Sequence, residues 1–178
     1  NAIYQTGPEK VLEEVRELTG IDVQYYLMVD TEALKVLVDE IGGVTFNVPI
    51  DMNYDDNKQG LHIHLEAGEQ KLDGDKAEQV VRFRHNQDGS TYPESYGIED
   101  IGRMRTQRDF LKALAAQTLT PANITKIPDF LDIAEKYVET NLNFDSIKDY
   151  VPYAVNFNVD NLQSDKLPGE AELANGVW

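Results

Sequence analysis

Apolar positions along the chain switch several times between helical and strand spacing, and this pattern predicts a mixed fold. Apolar residues that recur three or four positions apart predict helices over residues 8–19, 31–41, 73–81, 99–118, 127–138 and 144–151. Alternating or β-branched and aromatic runs predict strands over 23–29, 44–48 and 61–65. Polar segments punctuated by glycine predict loops over 51–60 and 85–98, and the tail from Val159 onward is predicted to be strand and loop. We therefore expect an α/β (α+β) fold in which helices cover a central sheet.

The length of 178 residues suits one domain with a sizeable core, so we assign residues 1–178 to a single domain. No segment approaches the roughly 18 consecutive apolar residues of a membrane span, and the N-terminus has no signal-peptide pattern. The sequence opens directly with Asn1-Ala2-Ile3-Tyr4 and closes at Val177-Trp178. We expect this domain to be truncated, with strands missing before the first residue and after the last.

The formal net charge of −16 argues against binding to nucleic acid or to an anionic membrane surface, because both carry the same sign of charge. Cysteine is absent, which excludes disulfides, thiolate metal sites and thiol nucleophiles. His62 and His64 alternate with the apolar residues of a predicted strand, so we expect both to face solvent rather than bind a metal.

Arginine is concentrated in one part of the sequence. Five of the six arginines lie between residues 82 and 108: Arg82, Arg84, Arg103, Arg105 and Arg108. On a helix over 99–118, Arg103 and Gln107 fall within the predicted apolar stripe, which consists of Met104, Phe110, Leu111, Leu114 and Ala115. A guanidinium that points toward a core needs an anionic partner, which is either a structural carboxylate or a bound anion.

Arg82-Phe83-Arg84 carries the same implication if it is extended, since the two arginines then share one face. Two adjacent guanidinium groups repel each other unless an anion lies between them, and a phosphate or pyrophosphate suits their forked geometry. The alternative is that the protein's own acids pair with these arginines. The candidate acids are Glu99, Asp100 and Asp109.

Taken in order, these segments resemble the motifs of the LytR-CpsA-Psr family. The VDEIGGVTFNVP segment over 38–49 is similar to a family signature, as are the stretches over 51–55, 61–65 and 68–77. Arg82-Phe83-Arg84 resembles the family's RxR motif, and Asp100-Ile101-Gly102-Arg103 with Gln107 resembles its later arginine and glutamine motif. Asn1-Ala2-Ile3-Tyr4 resembles the end of a further motif. Thr106 departs from the pattern because the family has an arginine there, and the loop between Arg84 and Arg103 is longer than expected.

The resemblance implies a fold with an apolar lipid pocket between a mixed sheet and the helices. It implies a phosphotransferase that moves a glycan phosphate, such as wall teichoic acid or capsule, from polyprenyl pyrophosphate to peptidoglycan. It places the pyrophosphate on Arg82, Arg84, Arg103 and Gln107, with the three arginines as catalytic residues. It implies Mg²⁺ as cofactor, with aspartate ligands upstream of Asn1 and none assigned in this chain. It also implies an extracytoplasmic location in a bacterium, with one N-terminal membrane anchor in the full-length protein. The alternatives are a non-catalytic polyprenyl-phosphate-binding module and a cell-envelope regulator.

Overall fold

The computed structural model describes residues 7–120, 123, 126–143, 153 and 158–161. The helix predicted over 144–151, the tail beyond Asn161 and the motif at Asn1-Ala2-Ile3-Tyr4 lie outside the described residues. In chain order the elements are α1 (Pro8–Thr19), β1 (Leu27–Val29), α2 (Thr31–Glu40), β2 (Val44–Val48), β3 (Met52–Asp56), β4 (Leu61–Leu65), β5 (Gly68–Leu72), α3 (Gly74–Arg82), α4 (Glu99–Thr118), α5 (Ile127–Tyr137) and β6 (Val138–Thr140), followed by a short 3-10 helix (Val159–Asn161).

The strands pair antiparallel in three two-stranded sheets, which join β1 to β6, β2 to β5 and β3 to β4. Every second residue of β2 and β4 is buried, as expected for strands with one face against a core. The α/β class is therefore confirmed. Among the described residues, no parallel pair joins these sheets into the one central mixed sheet that was expected, and the lipid pocket stays a prediction.

The core lies between the helices α2, α3 and α4 and the inner faces of β2 and β4. The rings of Phe46 on β2 and Phe110 on α4 meet edge to face, with centroids 5.4 Å apart. The side chain of Gln117 fixes the end of α4 to the edge of β2, because it accepts from the backbone N–H of Thr45 (2.8 Å) and donates to its carbonyl (2.9 Å). These contacts hold α4 across the sheet, and its first two turns then reach the end of α3.

The helix ends follow ordinary capping chemistry. The carboxylate of Asp30 accepts from the N–H of Ala33 and caps α2, which begins at Thr31 as the sequence pattern predicted. Asp73, the first residue of the helix predicted over 73–81, caps α3 in the same way. Gly42 and Gly43 follow α2 with φ of 84° and 92°, a conformation that favours glycine, and they turn the chain into β2.

Three strands were not predicted: β3, β5 and β6. A loop was predicted over β3, no strand was predicted over β5, and a helix was predicted up to the first residue of β6. β3 and β5 were missed because each has few buried apolar residues: Met52 in β3 and Leu72 in β5. Their ladders with β4 and β2 define them instead, and such pairing is invisible to a single-strand pattern. The strand predicted over 23–29 is shortened to Leu27–Val29.

The buried face of α4 also differs from the predicted apolar stripe. The buried positions are four residues apart and include two small residues: Gly102, Thr106, Phe110 and Leu114. Met104 and Leu111 are 36% and 55% exposed, so their assignment to the core was wrong. The loop after α3 explains this, because its Tyr92 packs against the small residues of the helix. Arg103 consequently lies at the flank of the buried face, with its side chain 34% exposed.

Candidate anion-binding cleft

A cleft of about 370 Å³ opens where the end of α3, the start of α4 and the β3–β4 hairpin meet. Its walls come from both helices, the hairpin and the residues that follow α3: Tyr54, Gln59, Leu61, Val81, Arg82, Arg84, His85, Arg103 and Gln107. The four site residues predicted from the sequence therefore line one cavity, although they come from two separate segments of the chain.

The end of α3 brings Arg82 and Arg84 to the cleft through the residue between them. Phe83 leaves the helix with φ −62° and ψ 137° and is fully buried, with its ring edge-on to Tyr92 at 5.5 Å. Arg82 belongs to the last helical turn, so the prediction of a fully extended Arg82-Phe83-Arg84 segment was wrong. The break at Phe83 still sends both guanidinium-bearing side chains to the same cavity.

Arg82 is held from two sides. Its Nη1 forms an ion pair with Glu78 one turn earlier on α3, at 2.9 Å, and its Nη2 donates to the side-chain carbonyl of Gln59 at 3.2 Å. Both members of the ion pair are largely shielded from solvent. The contacts cross-link α3 to the β3–β4 turn, and they fix the position of the guanidinium before any ligand arrives.

Arg84 pairs with Glu99, the first residue of α4, at 3.1 Å. Glu99 has φ of 46°, a strained conformation for a side chain of this kind, and its N–H donates to the hydroxyl of Thr91 at 3.0 Å. That hydroxyl in turn donates to the carbonyl of Arg84 at 2.7 Å. The contacts with Arg84 and Thr91 therefore hold Glu99 in its strained conformation, and they tie the start of α4 to Arg84.

Arg103 and Gln107 stand one turn apart on α4. The Nη2 of Arg103 forms a close ion pair with Asp100 Oδ1, while its Nε is buried and has no hydrogen-bond partner among the residues that the structure describes. Gln107 donates from Nε2 to the carbonyl of Val81 at 2.8 Å, which joins α4 to the end of α3. The Nε of Arg103 is too enclosed for a ligand to reach, so an anion in the cleft could contact Arg103 only through its partly exposed guanidinium nitrogens.

The described residues bring charge of one sign to the cleft. Three guanidinium groups line it, and none of the described lining residues carries a carboxylate. Each guanidinium has one acidic partner outside the lining: Glu78, Glu99 or Asp100. Two of the acids named from the sequence, Glu99 and Asp100, are thus structural partners. A guanidinium has five N–H donors, so one carboxylate leaves it able to bind an anion as well.

The other two arginines of this part of the sequence, Arg105 and Arg108, lie outside the cleft. Arg105 lies over the ring of Tyr96, 4.3 Å from its centroid, and approaches Asp109 at 3.9 Å, so this pair accounts for the third acid named from the sequence. Thr106 is fully buried, and its hydroxyl lies 3.2 Å from that of Tyr96.

Sequence analysis did not identify His85, Tyr54 or Gln59 as lining residues. His85 directly follows Arg84, and this adjacency was the available signal. Tyr54 and Gln59 reach the cleft only because β3 and β4 form a hairpin, which the pattern did not predict. His62 and His64 are exposed on the outer face of that hairpin, as predicted. The hydrogen bond from His62 (2.5 Å) is the main cause that lowers the pKa of Asp55.

The whole chain, residues 1–178, matches the sequence model of the LytR_cpsA_psr family. The chain belongs to the LytR-CpsA-Psr family.

Similar LytR-CpsA-Psr proteins include some that are described as teichoic acid transferases. The chain is 28% identical over 176 residues to the polyisoprenyl-teichoic acid–peptidoglycan teichoic acid transferase TagU of Oceanobacillus iheyensis, covering 97% of this chain and 49% of that protein. It is 30% identical over 144 residues to the transferase of the same description, TagV, of Bacillus subtilis, covering 80% of this chain and 34% of that protein. The crystal structure of B. subtilis TagV superposes with a TM-score of 0.76 at 25% identity, covering 98% of this chain and 63% of that one. The chain thus spans half or less of the length of these curated relatives.

Two properties expected of LytR-CpsA-Psr proteins have no counterpart in the described part of this chain. Its described helices include none with the length and apolar character needed to cross a membrane. Its described histidines, aspartates and glutamates include no group of three or more arranged to hold a metal ion.

Proposed function

We propose that this chain is the phosphate-recognising part of a phosphotransferase. The enzyme would move a glycan phosphate, such as wall teichoic acid or capsule, from polyprenyl pyrophosphate to a hydroxyl of peptidoglycan. The observation that carries the proposal is the cleft, where the described lining residues include three arginines and no carboxylate in a protein with a net charge of −16. The relatives described as teichoic acid transferases support the reaction class.

In this proposal the cleft residues act by binding and by electrostatics. Arg82, Arg84 and Arg103 bind the pyrophosphate oxygens, and the amide of Gln107 holds α4 against α3 so that the arginines keep their spacing. Charge develops on the leaving phosphate during transfer, and guanidinium groups already fixed by Glu78, Glu99 and Asp100 need little reorganisation to stabilise it.

We also propose that the complete protein requires Mg²⁺, which would neutralise charge on the bridging phosphates. The described residues do not fit such an ion, because no carboxylate lines the cleft and they hold no metal-binding cluster. Its ligands are expected upstream of Asn1. The apolar pocket for the polyprenyl tail, the extracytoplasmic location and the single N-terminal anchor are likewise proposals for the full-length protein.

The alternative is a module that binds a polyprenyl phosphate without transfer, for which the same arginines of the cleft would supply the phosphate contacts. A cell-envelope regulator would use the same binding, whereas the net charge of −16 opposes direct DNA recognition.

The test uses the full-length protein with a lipid-linked glycan donor and peptidoglycan, with and without Mg²⁺. We expect Arg82→Ala and Arg103→Ala each to reduce transfer by about 10²-fold or more, since each removes a donor to the developing charge. Arg105→Ala is the matched control, because this arginine lies on α4 but outside the cleft. Full transfer by both cleft variants would refute the proposal. Donor binding by the wild-type protein without product would favour the binding module.

A further inference from the structure

His85 is the one imidazole among the residues that line the cleft, which it shares with three arginines. Guanidinium groups do not release protons in proteins, and tyrosine phenols hold theirs at neutral pH. Imidazole is the side chain that exchanges a proton readily near neutrality. Among the lining residues, His85 is therefore the group suited to accept a proton from a hydroxyl that enters the cleft.

The ring of His85 is oriented by two contacts. Its Nδ1 lies 3.0 Å from the carbonyl oxygen of Asn86, and the ring of Tyr54 meets it edge to face at 5.2 Å. A carbonyl oxygen only accepts hydrogen bonds, so the proton of the neutral imidazole resides on Nδ1. The lone pair is then on Nε2, and Nε2 has no hydrogen-bond partner among the described residues. This is the tautomer that a general base requires.

The backbone carbonyl of Asn86, which accepts the hydrogen bond from His85, is itself held in place. Asn86 and Gln87 run along the edge of β3 that does not face β4. The N–H of Asn53 donates to the side chain of Asn86 (2.7 Å), and the N–H of Gln87 donates to the carbonyl of Asn53 (2.9 Å). The N–H of Asp55 donates to the side chain of Gln87 (3.1 Å). The segment after Arg84 is thus clamped to the hairpin, and the histidine is positioned before any substrate binds.

We infer that His85 is the general base of the transfer reaction, an assignment that rests on the proposed function. The acceptor hydroxyl oxygen forms a bond to the phosphorus that carries the glycan. The bond from that phosphorus to the bridging oxygen breaks, and its electron pair leaves with polyprenyl monophosphate. The hydroxyl proton passes to Nε2 of His85 and then to water. The charged groups that share the cleft with the imidazole are Arg82, Arg84 and Arg103.

The experiment measures transfer by the full-length protein from a polyprenyl-diphosphate-linked glycan to peptidoglycan across a pH series. We expect His85→Gln to lower kcat by about 10²- to 10⁴-fold with little change in the KM for the donor. The wild-type rate falls toward acidic pH as the base becomes protonated, and this limb disappears in the variant. Added imidazole should restore part of the activity of His85→Ala. His62→Gln, the same change on the outer face of the hairpin, is the matched control and retains wild-type rates.

The outcomes separate this inference from the proposed function. A His85→Gln variant with wild-type kcat, alongside inactive Arg82→Ala, would overturn the general base and leave the transferase proposal standing. A variant whose defect lies in the KM for the donor, with the acidic limb intact, would make His85 a phosphate ligand and also overturn the inference. A wild-type protein that transfers nothing would overturn both. Thermal unfolding confirms that each variant is folded when assayed.

Discussion

Gly102 lies immediately before Arg103 on α4. Because glycine has no side chain, the loop after α3 can pack directly against the helix at this position. A β-carbon at this position would lie 2.5 Å from Cγ of Tyr92, and closer still to Cδ2 of the same ring and to the carbonyl oxygen of Gly97. Neither neighbour can yield easily, because Tyr92 is buried between Phe83 and the helix and Gly97 contributes backbone.

The Gly102→Ala variant therefore combines two opposing effects on stability, a gain in helix propensity and a cost from overpacking. In an exposed helix the change would stabilise the protein by about 1 kcal/mol through helix propensity. Overpacking of a filled core costs about 1–3 kcal/mol, and contacts this short place the cost near the upper limit. We expect a net loss of about 2 kcal/mol, which corresponds to a fall in Tm of roughly 4–8 °C for a protein of this size.

Urea and thermal unfolding of the wild type and the variant measure this loss. Ala116→Gly is the control, because Ala116 is exposed on the same helix and should report helix propensity alone, at about 1 kcal/mol. The variant should also bind pyrophosphate more weakly, since a shift of the helix at Gly102 would displace the adjoining Arg103. A Gly102→Ala protein as stable as the wild type, or more stable, would show that the loop does not pack as described.

Three further predictions concern the core and the cleft. Phe110→Ala should cost about 3–5 kcal/mol in urea unfolding, because it removes a fully buried ring that packs on Phe46. Burial raises the pKa of Tyr92 to about 12, so the folded state holds this proton more tightly than an unfolded tyrosine with a pKa of about 10. The contribution to stability is therefore complete below pH 10 and should be lost as the pH rises to about 12, and Tyr92→Phe should flatten this part of the stability curve. Glu99→Gln should tighten pyrophosphate binding about two- to five-fold by calorimetry, with little change in stability, because its ion pair with Arg84 is exposed. Weaker binding by this variant would show that Glu99 orients Arg84 rather than competing for it.

Features that depend on local sequence were predictable. The helices α2, α3 and α4 follow from their periodicity and end signals, and β2 and β4 follow from strict alternation. The grouping of Arg82, Arg84 and Arg103 in one cleft was implied by the family resemblance. The residues alone left open that acids of the protein pair with these arginines, as Glu99 and Asp100 do.

Features that depend on tertiary neighbours were not predictable. β3 contains the polar segment Asn53–Asp56, and only its ladder with β4 makes it a strand. The buried face of α4 was misassigned because Gly102 and Thr106 have no hydrophobic signature, and their burial depends on the tyrosines of a loop. His85 was missed for the same reason, since the carbonyl and the ring that orient it become neighbours only through the hairpin.

The clamp formed by Asn86 and Gln87 also has a consequence for solubility. An unpaired strand edge is a template on which another chain can add a strand and begin to aggregate. Along β3 the outward-facing amides of Asn53 and Asp55 are occupied by two side-chain carbonyls. The segment that steadies the cleft therefore also blocks this edge against intruding strands, so a mutation that loosens it would expose the protein to self-association as well as to loss of activity.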